Sequence, residues 1–174
     1  MSLLDSLGGL IQQYASGAAP AGDVNAHYQQ ISQAVPPSSI ATGLAAALGS
    51  AGSSGFGQMA SQIFNNSGGT QQAGMLNELL ASAGPALTQF LRSNPGSALS
   101  SILGGGQTQV TPQQASSVPA EEVQELAQRV HNIAPGVVDK VSQIYAEHPQ
   151  IVQTLGAAAM ALAIRKIAEK HATA

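Results

Sequence analysis

The chain has 174 residues, of which only 9% are charged and 3% are aromatic, and it contains neither Cys nor Trp. Soluble domains usually carry about 25% charged residues. With six Lys and Arg against nine Asp and Glu, the formal net charge is −3, so the chain lacks the basic face that a nucleic-acid-binding protein needs. The absence of Cys excludes disulfide frameworks and thiolate chemistry, and it suits a reducing cytoplasm.

Charge divides the chain into two regions. Residues 1–119 contain four charged residues, whereas residues 120–174 contain eleven. The change follows a run of three glycines and a Gln- and Ser-rich stretch. We therefore divide the chain into a low-charge helical region, 1–103, a linker with a short capped turn, 104–119, and a helical C-terminal region, 120–174.

Apolar residues recur at helical spacing from the start of the chain, and no long segment alternates apolar with polar residues. Leu3, Leu7 and Leu10 fall on one face of an amphipathic first helix. Asp23 is a good N-cap for a second helix, which Pro36–Pro37 ends. These patterns predict helices rather than strands.

Glycine and serine interrupt the middle of the chain. Gly49–Gly55 is typical of a flexible turn. It separates a short helix, capped by Ser38 or Ser39, from a second one at Phe56–Phe64. We expect Thr70 to cap the helix that follows.

The C-terminal half has the clearest helix starts. Thr111, Pro112 and Gln114 have the spacing of a capping box with Pro at the first helical position. Glu121 and Glu122 lie where acidic residues favour the positive end of a helix.

We expect the last helix to begin at Pro149 and to continue to about His171, with basic residues in its final turns. The sequence therefore predicts an all-α protein of about nine short helices in a compact bundle, ending in a longer Ala-rich C-terminal helix. The alternative is that the Gly-rich segments 49–55 and 104–109 are disordered.

The last helix carries small and apolar residues around most of its surface, and small residues allow helix backbones to approach closely. Three interpretations are open: it is the buried central helix of its own domain, it packs against copies of itself, or it lies on a membrane with its basic end at the headgroups. The low charge of the first region favours self-association, because covering an uncharged surface strips no ion of its water. The residues that we expect to make such contacts are Leu155, Gly156, Ala159, Met160 and Leu162, with Leu3, Leu7 and Leu10 as a second face.

Few residues suit catalysis or metal binding. No two of the four histidines, His27, His131, His148 and His171, have the i, i+4 spacing of a helical zinc site. His131 and His148 fall in neighbouring predicted helices, so folding could join them with nearby carboxylates into an enzyme site. Otherwise they are exposed residues at helix ends. We expect no catalytic, cofactor-binding or metal site.

Two further motifs have a structural and a functional interpretation. Glu121, Glu122 and Glu125 would suit a hard cation, but three carboxylates also occur in the solvated first turn of a helix. Gly55–Ala60 matches the loose G-x-G-x-x-A pattern of dinucleotide-binding proteins. It follows a Gly/Ser turn rather than a strand, so we do not expect it to bind a nucleotide.

Targeting signals are weak. Met1–Asp5 has neither the basic nor the apolar segment of a secretory signal, and the longest uncharged apolar stretch, Leu155–Ile164, is too short to cross a bilayer. We expect a cytoplasmic protein, with membrane association and leaderless export left open.

Four segments are similar to a known family: Met1–Leu10 (MSLLDSLGGL), Phe56–Met59 (FGQM), Gln72–Asn77 (QAGMLN) and Tyr145–Pro149 (YAEHP). The first resembles the opening of the bacterial YidB-like proteins, a family of unknown function, and the others resemble pieces of related bacterial proteins. The resemblance implies a small helical bacterial protein, and it carries over no catalytic residue.

The sequence thus predicts a non-enzymatic structural or scaffold-like protein that forms homo-oligomers through low-charge, small-residue helical faces. The alternative is a peripheral membrane or lipid-binding helical protein, whose binding to liposomes would weaken with salt.

Overall fold

The computed structural model describes residues 3–17 and 22–172, and the side chains of residues 8–14, 16–17 and 22–170. Within these residues all regular structure is helical, which confirms the all-α prediction. The count of helices exceeds the expected nine because α7, α8 and α11 are short pieces of six residues or fewer. In chain order the α-helices are α1 Leu3–Ala15, α2 Val24–Ala34, α3 Pro37–Ser50, α4 Gly52–Asn65, α5 Gly69–Ala83, α6 Pro85–Ser93, α7 Ala98–Leu103, α8 Pro112–Ala115, α9 Ala120–Ile133, α10 Val137–Ala146, α11 Pro149–Val152 and α12 Ala157–Ala172.

Two predicted helix starts are confirmed. The Asp23 carboxylate accepts a hydrogen bond of 2.9 Å from the Asn25 backbone N–H and so caps α2. At α8, Thr111 Oγ1 accepts from the Gln114 N–H at 3.3 Å, and the Thr111 N–H donates to Gln114 Oε1 at 3.0 Å. This reciprocal pair is a capping box.

The flexible turn expected at Gly49–Gly55 is wrong, because α3 continues to Ser50 and α4 begins at Gly52. None of residues 49–55 is buried, and the close packing of α4 begins just after them. A Cβ at Gly57 would lie 2.8 Å from the Gln124 backbone oxygen, so the missing side chain lets α4 press closely against α9. The caps expected at Ser38 or Ser39 and at Thr70 are also wrong, since the N-caps are two or three residues earlier, at Pro36 and Gly68.

The single helix expected from Pro149 to about His171 is wrong as well. It is divided into α11, a 3-10 turn at Gln153–Leu155, and α12. Gly156 separates them with φ +87° and ψ 162°. Essentially only Gly adopts that backbone conformation. Gly156 therefore ends one helical segment and lets the next one start in a different direction. The long Ala-rich C-terminal helix itself is present, as α12.

Helices from both sides of segment 104–119 contribute to one hydrophobic cluster. α3 packs against α10 and α12, α4 packs against α9, and α1 packs against α12. The segment itself is held by Asn77, whose Oδ1 accepts from the Val110 N–H at 2.7 Å and whose Nδ2 donates to the Val110 oxygen at 3.2 Å. The change in charge along the sequence therefore does not coincide with a change of core.

α3 is the helix that the functional site uses, and its position depends on one glycine. A Cβ at Gly43 would lie 2.5 Å from the Ala163 backbone oxygen and 2.5 Å from Ile167 Cγ1. α3 and α12 therefore cross nearly backbone to backbone. This crossing buries one face of α3 and leaves the opposite face open.

Candidate functional site

An open groove of about 1000 Å³ runs along the outer face of α3. Its floor consists of two rows of short side chains, each at i, i+4 spacing, which lie on one side of a helix. None of these side chains is larger than that of Thr. We call this depression the α3 groove; its floor residues are Ser38, Ala41, Thr42, Ala45, Ala46 and Gly49.

The walls of the α3 groove carry its charges. α10 contributes Asp139 and Gln143 on one side. Lys170, near the end of α12, lies on the groove as well, and its Nζ donates to Thr42 Oγ1 at 3.0 Å. His131 lies in the last turn of α9, and its ring centroid is 5.3 Å from that of Phe56. The groove thus joins an uncharged floor to a border with one acid, one base and one imidazole.

A smaller depression of about 180 Å³ extends the groove toward the start of α3. The two depressions share Ser38, Ala41 and Gln143. The extension reaches Pro37 and Glu147. The open face therefore follows α3 for most of its length.

The structure does not bring His131 and His148 into one depression. His148 lines a separate one, of about 410 Å³, with Gln71 and Glu147; its Nε2 lies 3.5 Å from Gln71 Nε2. His27 Nδ1 lies 3.1 Å from the Tyr14 hydroxyl. The His171 side chain is outside the described residues. Among the side chains that are described, no three metal-ligating groups cluster.

Glu122 and Glu125, near the start of α9, bind different partners. Glu122 Oε1 accepts from the Ala98 N–H at 2.8 Å, and Oε2 accepts from the Leu99 N–H at 3.2 Å. This carboxylate therefore caps α7 from another helix. Glu125 forms an ion pair of 2.9 Å with Arg129 one turn later. The sequence analysis missed the role of Glu122, because its partners are more than twenty residues away.

The segment Gly55–Ala60 lies within α4 rather than in a phosphate-binding loop. Phe56, Gly57 and Ala60 are buried. They face the core and α9, so this glycine pattern is explained by helix packing.

The residues expected to make intermolecular contacts lie mostly inside the fold. Met160 is fully buried and Leu155 is 8% exposed, both in the hydrophobic cluster. Ala159 packs partly buried against the same cluster, and Leu162 is half-buried, whereas Gly156 is exposed at the helix break. Among the three interpretations of the last helix, this arrangement is that of a helix in its own core.

The second expected face is described only in part. Leu10 is half-buried and packs against the core. The side chains of Leu3 and Leu7 lie outside the described residues. In this part of α1, the described side chain contacts the chain's own interior.

The basic end of α12 is internally paired. Arg165 Nε lies 3.1 Å from Glu169 Oε1, and Lys166 Nζ lies 2.7 Å from Glu169 Oε2. The hydrogen bond from Lys166, assisted by Arg165, lowers the pKa of the Glu169 carboxyl below its usual value. No helix among the described residues is both long and apolar enough to cross a membrane.

Among the described residues, the other groups with a shifted pKa are three tyrosines. Burial raises the pKa of Tyr145 to about 12, and it also raises the pKa of Tyr28 and of Tyr14. The Tyr145 hydroxyl donates to the Gln71 backbone oxygen at 3.2 Å. These hydroxyls therefore remain protonated near neutral pH.

No protein-family model, curated protein or solved structure matches this chain. The functional interpretation therefore depends on the geometry alone. The α3 groove was missed in the sequence analysis, although a signal for it exists: Ser38, Thr42 and Ala46 repeat at i, i+4, and so do Ala41, Ala45 and Gly49.

Proposed function

We propose that this chain is a non-enzymatic structural or scaffold-like protein that self-associates through low-charge, small-residue helical faces. The observation that carries this proposal is the α3 groove, an open face floored by short uncharged side chains. Small side chains let a second polypeptide approach the helix backbone closely, so that many weak contacts add up.

The charge distribution supports the same proposal. No Asp, Glu, Lys, Arg or His occurs between His27 and Glu78, a segment that includes all of α3 and α4. Its exposed residues are Ser, Gln, Asn, Thr, Pro, Ala and Gly. Covering such a surface removes no ion from water, so association there avoids the largest desolvation cost.

The face assigned to association differs from the one expected from sequence. Leu155 and Met160 already pack in the chain's own core. Removing them from it would expose the apolar area that stabilises the fold. On the floor of the α3 groove, Ala41 and Ala45 also pack partly buried against the cluster, but the other floor residues have no such role and Ser38, Thr42 and Gly49 are exposed. The groove is therefore a surface that a second molecule can cover.

The experiment is a comparison of oligomeric state by sedimentation velocity over a range of protein concentrations. Wild type is expected to show a concentration-dependent assembly. Ala46→Glu places a carboxylate on the groove floor, at an Ala that is not among those packed against the hydrophobic cluster, and it should shift the chain toward monomer without unfolding it. Ala81→Glu is the matched control, because Ala81 is an exposed Ala within α5 and away from the groove.

A strictly monomeric wild type at all concentrations would contradict the proposal. Equal loss of assembly in both variants would show that added charge, rather than the groove, decides association. The lipid-binding alternative is tested with the same proteins, by co-sedimentation with anionic vesicles at low and high salt.

A further inference from the structure

The fold consists of two parts of the chain that are joined by one short exposed segment. We call residues 104–109 the hinge segment; all six are exposed, whereas Leu103 before them and Val110 after them are buried. The described residues before the hinge segment form the N-terminal part, and residues 110–172 form the C-terminal part. The hinge segment is therefore a stretch of backbone that can change course without uncovering core.

The most extensive contacts between helices join these two parts rather than helices within one part. In the N-terminal part, α3 packs against α10 and α12, α4 packs against α9, and α5 packs against α8, α9 and α10. Contacts within that part, such as those of α1 with α2 or of α5 with α6, are slight by comparison. Each part therefore buries its apolar faces mainly against the other part.

The surfaces between the two parts fit closely. A Cβ at Gly43 would lie 2.5 Å from the Ala163 backbone oxygen, and a Cβ at Gly57 would lie 2.8 Å from the Gln124 backbone oxygen. Contacts this close require a matching shape, because core packing is sensitive to a single methyl group. The C-terminal part of a second copy has the same shape, so it fits the N-terminal part equally well.

Gly106 sets the course of the hinge segment. Its φ is +83°, and its N–H donates to the Leu103 oxygen at 3.1 Å. This left-handed conformation suits Gly and is unfavourable for residues with a Cβ. An extended hinge segment needs no positive φ, and it would carry the C-terminal part away from the N-terminal part of its own chain.

We propose that this chain self-associates by exchange, in which the C-terminal part of each copy packs against the N-terminal part of the other. The exchanged dimer repeats every contact between the parts, so those contacts stabilise monomer and dimer equally. The hinge conformation and the protein concentration then decide the balance between the two forms. This inference rests on the proposed function, since it names the partner, but it uses the contacts of α3 with α12 and of α4 with α9 rather than the α3 groove.

Gly106→Ala tests the hinge. The added methyl group has no neighbour within 4 Å, so it acts through the backbone and penalises the closed hinge of the monomer. The penalty is about fivefold or more for each hinge, and a dimer relieves two, so the association constant should rise about 25-fold or more. Gly105→Ala is the matched control, because Gly105 also has no neighbour within 4 Å and its φ is not positive. Sedimentation velocity after refolding at several concentrations measures both.

A cross-linking experiment identifies the exchanged contact. Glu78 of α5 and Lys140 of α10 pair across the two parts at 3.4 Å, and their side chains are 39% and 52% exposed. The chain contains no Cys, so Glu78→Cys and Lys140→Cys proteins, one with a mass tag, each carry a single thiol. The two proteins are unfolded together, refolded at high concentration and treated with a short bismaleimide.

We expect a product of mixed mass in the dimer fraction, because exchange places residue 78 of one copy beside residue 140 of the other. Tagged and untagged Glu78→Cys, mixed in the same way, should give far less product. A chain with both substitutions should form an internal cross-link in the monomer fraction, which verifies that the reagent spans the pair.

The outcomes separate this inference from the proposed function. If wild type assembles but yields no more mixed product than the Glu78→Cys control, exchange is overturned while self-association stands. An equal response of Gly106→Ala and Gly105→Ala also overturns it. If the mixed product forms and Ala46→Glu leaves the dimer intact, exchange is supported and the α3 groove is not the surface of association. A wild type that is monomeric at every concentration, also after refolding, overturns both.

Discussion

The close crossing of α3 and α12 makes a quantitative prediction about Gly43. In Gly43→Ala the added Cβ would lie 2.5 Å from the Ala163 backbone oxygen and 2.5 Å from Ile167 Cγ1. The oxygen belongs to the α12 backbone and cannot rotate away, so the two helices must separate by about 1 Å to reach ordinary contact. Overpacking of this kind costs about 1–3 kcal/mol.

Helix propensity acts in the opposite direction. Replacing Gly by Ala inside a helix raises the free energy of unfolding by up to about 1 kcal/mol. Because a rigid backbone oxygen at 2.5 Å places the overpacking cost in the upper part of its range, about 2–3 kcal/mol, the expected net effect of Gly43→Ala is a loss of about 1–2 kcal/mol in the free energy of unfolding. The corresponding fall in Tm is a few degrees, since about 1 kcal/mol shifts Tm by roughly 2–4 °C in a chain of this size.

Gly74→Ala is the matched control. Gly74 also lies inside a helix, α5, but a Cβ there would be 3.7 Å from Ile144 Cδ1 and 3.8 Å from Ile144 Cγ2. These are ordinary van der Waals distances, so only the gain in propensity and a small gain in packing remain. We expect Gly74→Ala to raise the free energy of unfolding by about 0.5–1 kcal/mol.

The assay is urea unfolding followed by far-ultraviolet circular dichroism, with linear extrapolation to water. The same chemical change should have opposite signs at the two sites. If Gly43→Ala stabilises the protein as much as Gly74→Ala, then α3 and α12 do not cross closely. The position of the α3 groove would then need revision.

Three further predictions address the core and its caps. Glu122→Gln should cost about 1–2 kcal/mol, because the charged cap of α7 is weakened; Glu121→Gln, on an exposed neighbour, should change urea stability little, and equal effects would contradict the assignment. Ala159→Glu should lower the free energy of unfolding by about 2 kcal/mol or more, because a charge enters the edge of the core. A variant that stays folded and loses only its ability to assemble would show instead that this face makes intermolecular contacts. The free energy of unfolding should fall as pH rises from 10.0 toward 12, because the pKa of Tyr145 is raised from 10.0 to about 12 in the folded state and the unfolded state therefore releases the proton first. Tyr145→Phe should flatten this part of the curve of stability against pH, and an unchanged curve would refute the burial argument.

The sequence by itself determined the class of the fold and several helix starts. Capping by Asp23 and Thr111 involves partners two or three residues away, so the necessary information is local. The helical spacing of apolar residues likewise reports which side of each helix is apolar. The resemblance to YidB-like proteins stays a prediction.

Only the tertiary structure decided which surfaces those apolar sides meet. Periodicity marks Leu155 and Met160 as apolar but cannot tell an internal partner from a second chain, and here the partner is internal. Local propensity also favoured a turn at Gly49–Gly55, yet most of this segment is helical, because it continues into α4, which packs against α9 from Phe56 and Gly57 onward. In both cases the deciding contacts join residues far apart in sequence, and their free energy exceeds the weak local preference.

The α3 groove could not be predicted from the sequence for the same reason. The rows of small residues on α3 are visible in the sequence, but their meaning depends on which side of α3 is covered by α10 and α12. Close approach at Gly43 buries one side and leaves the other as the floor of a groove. The α3 groove is formed by three helices together, so it exists only once the chain has folded.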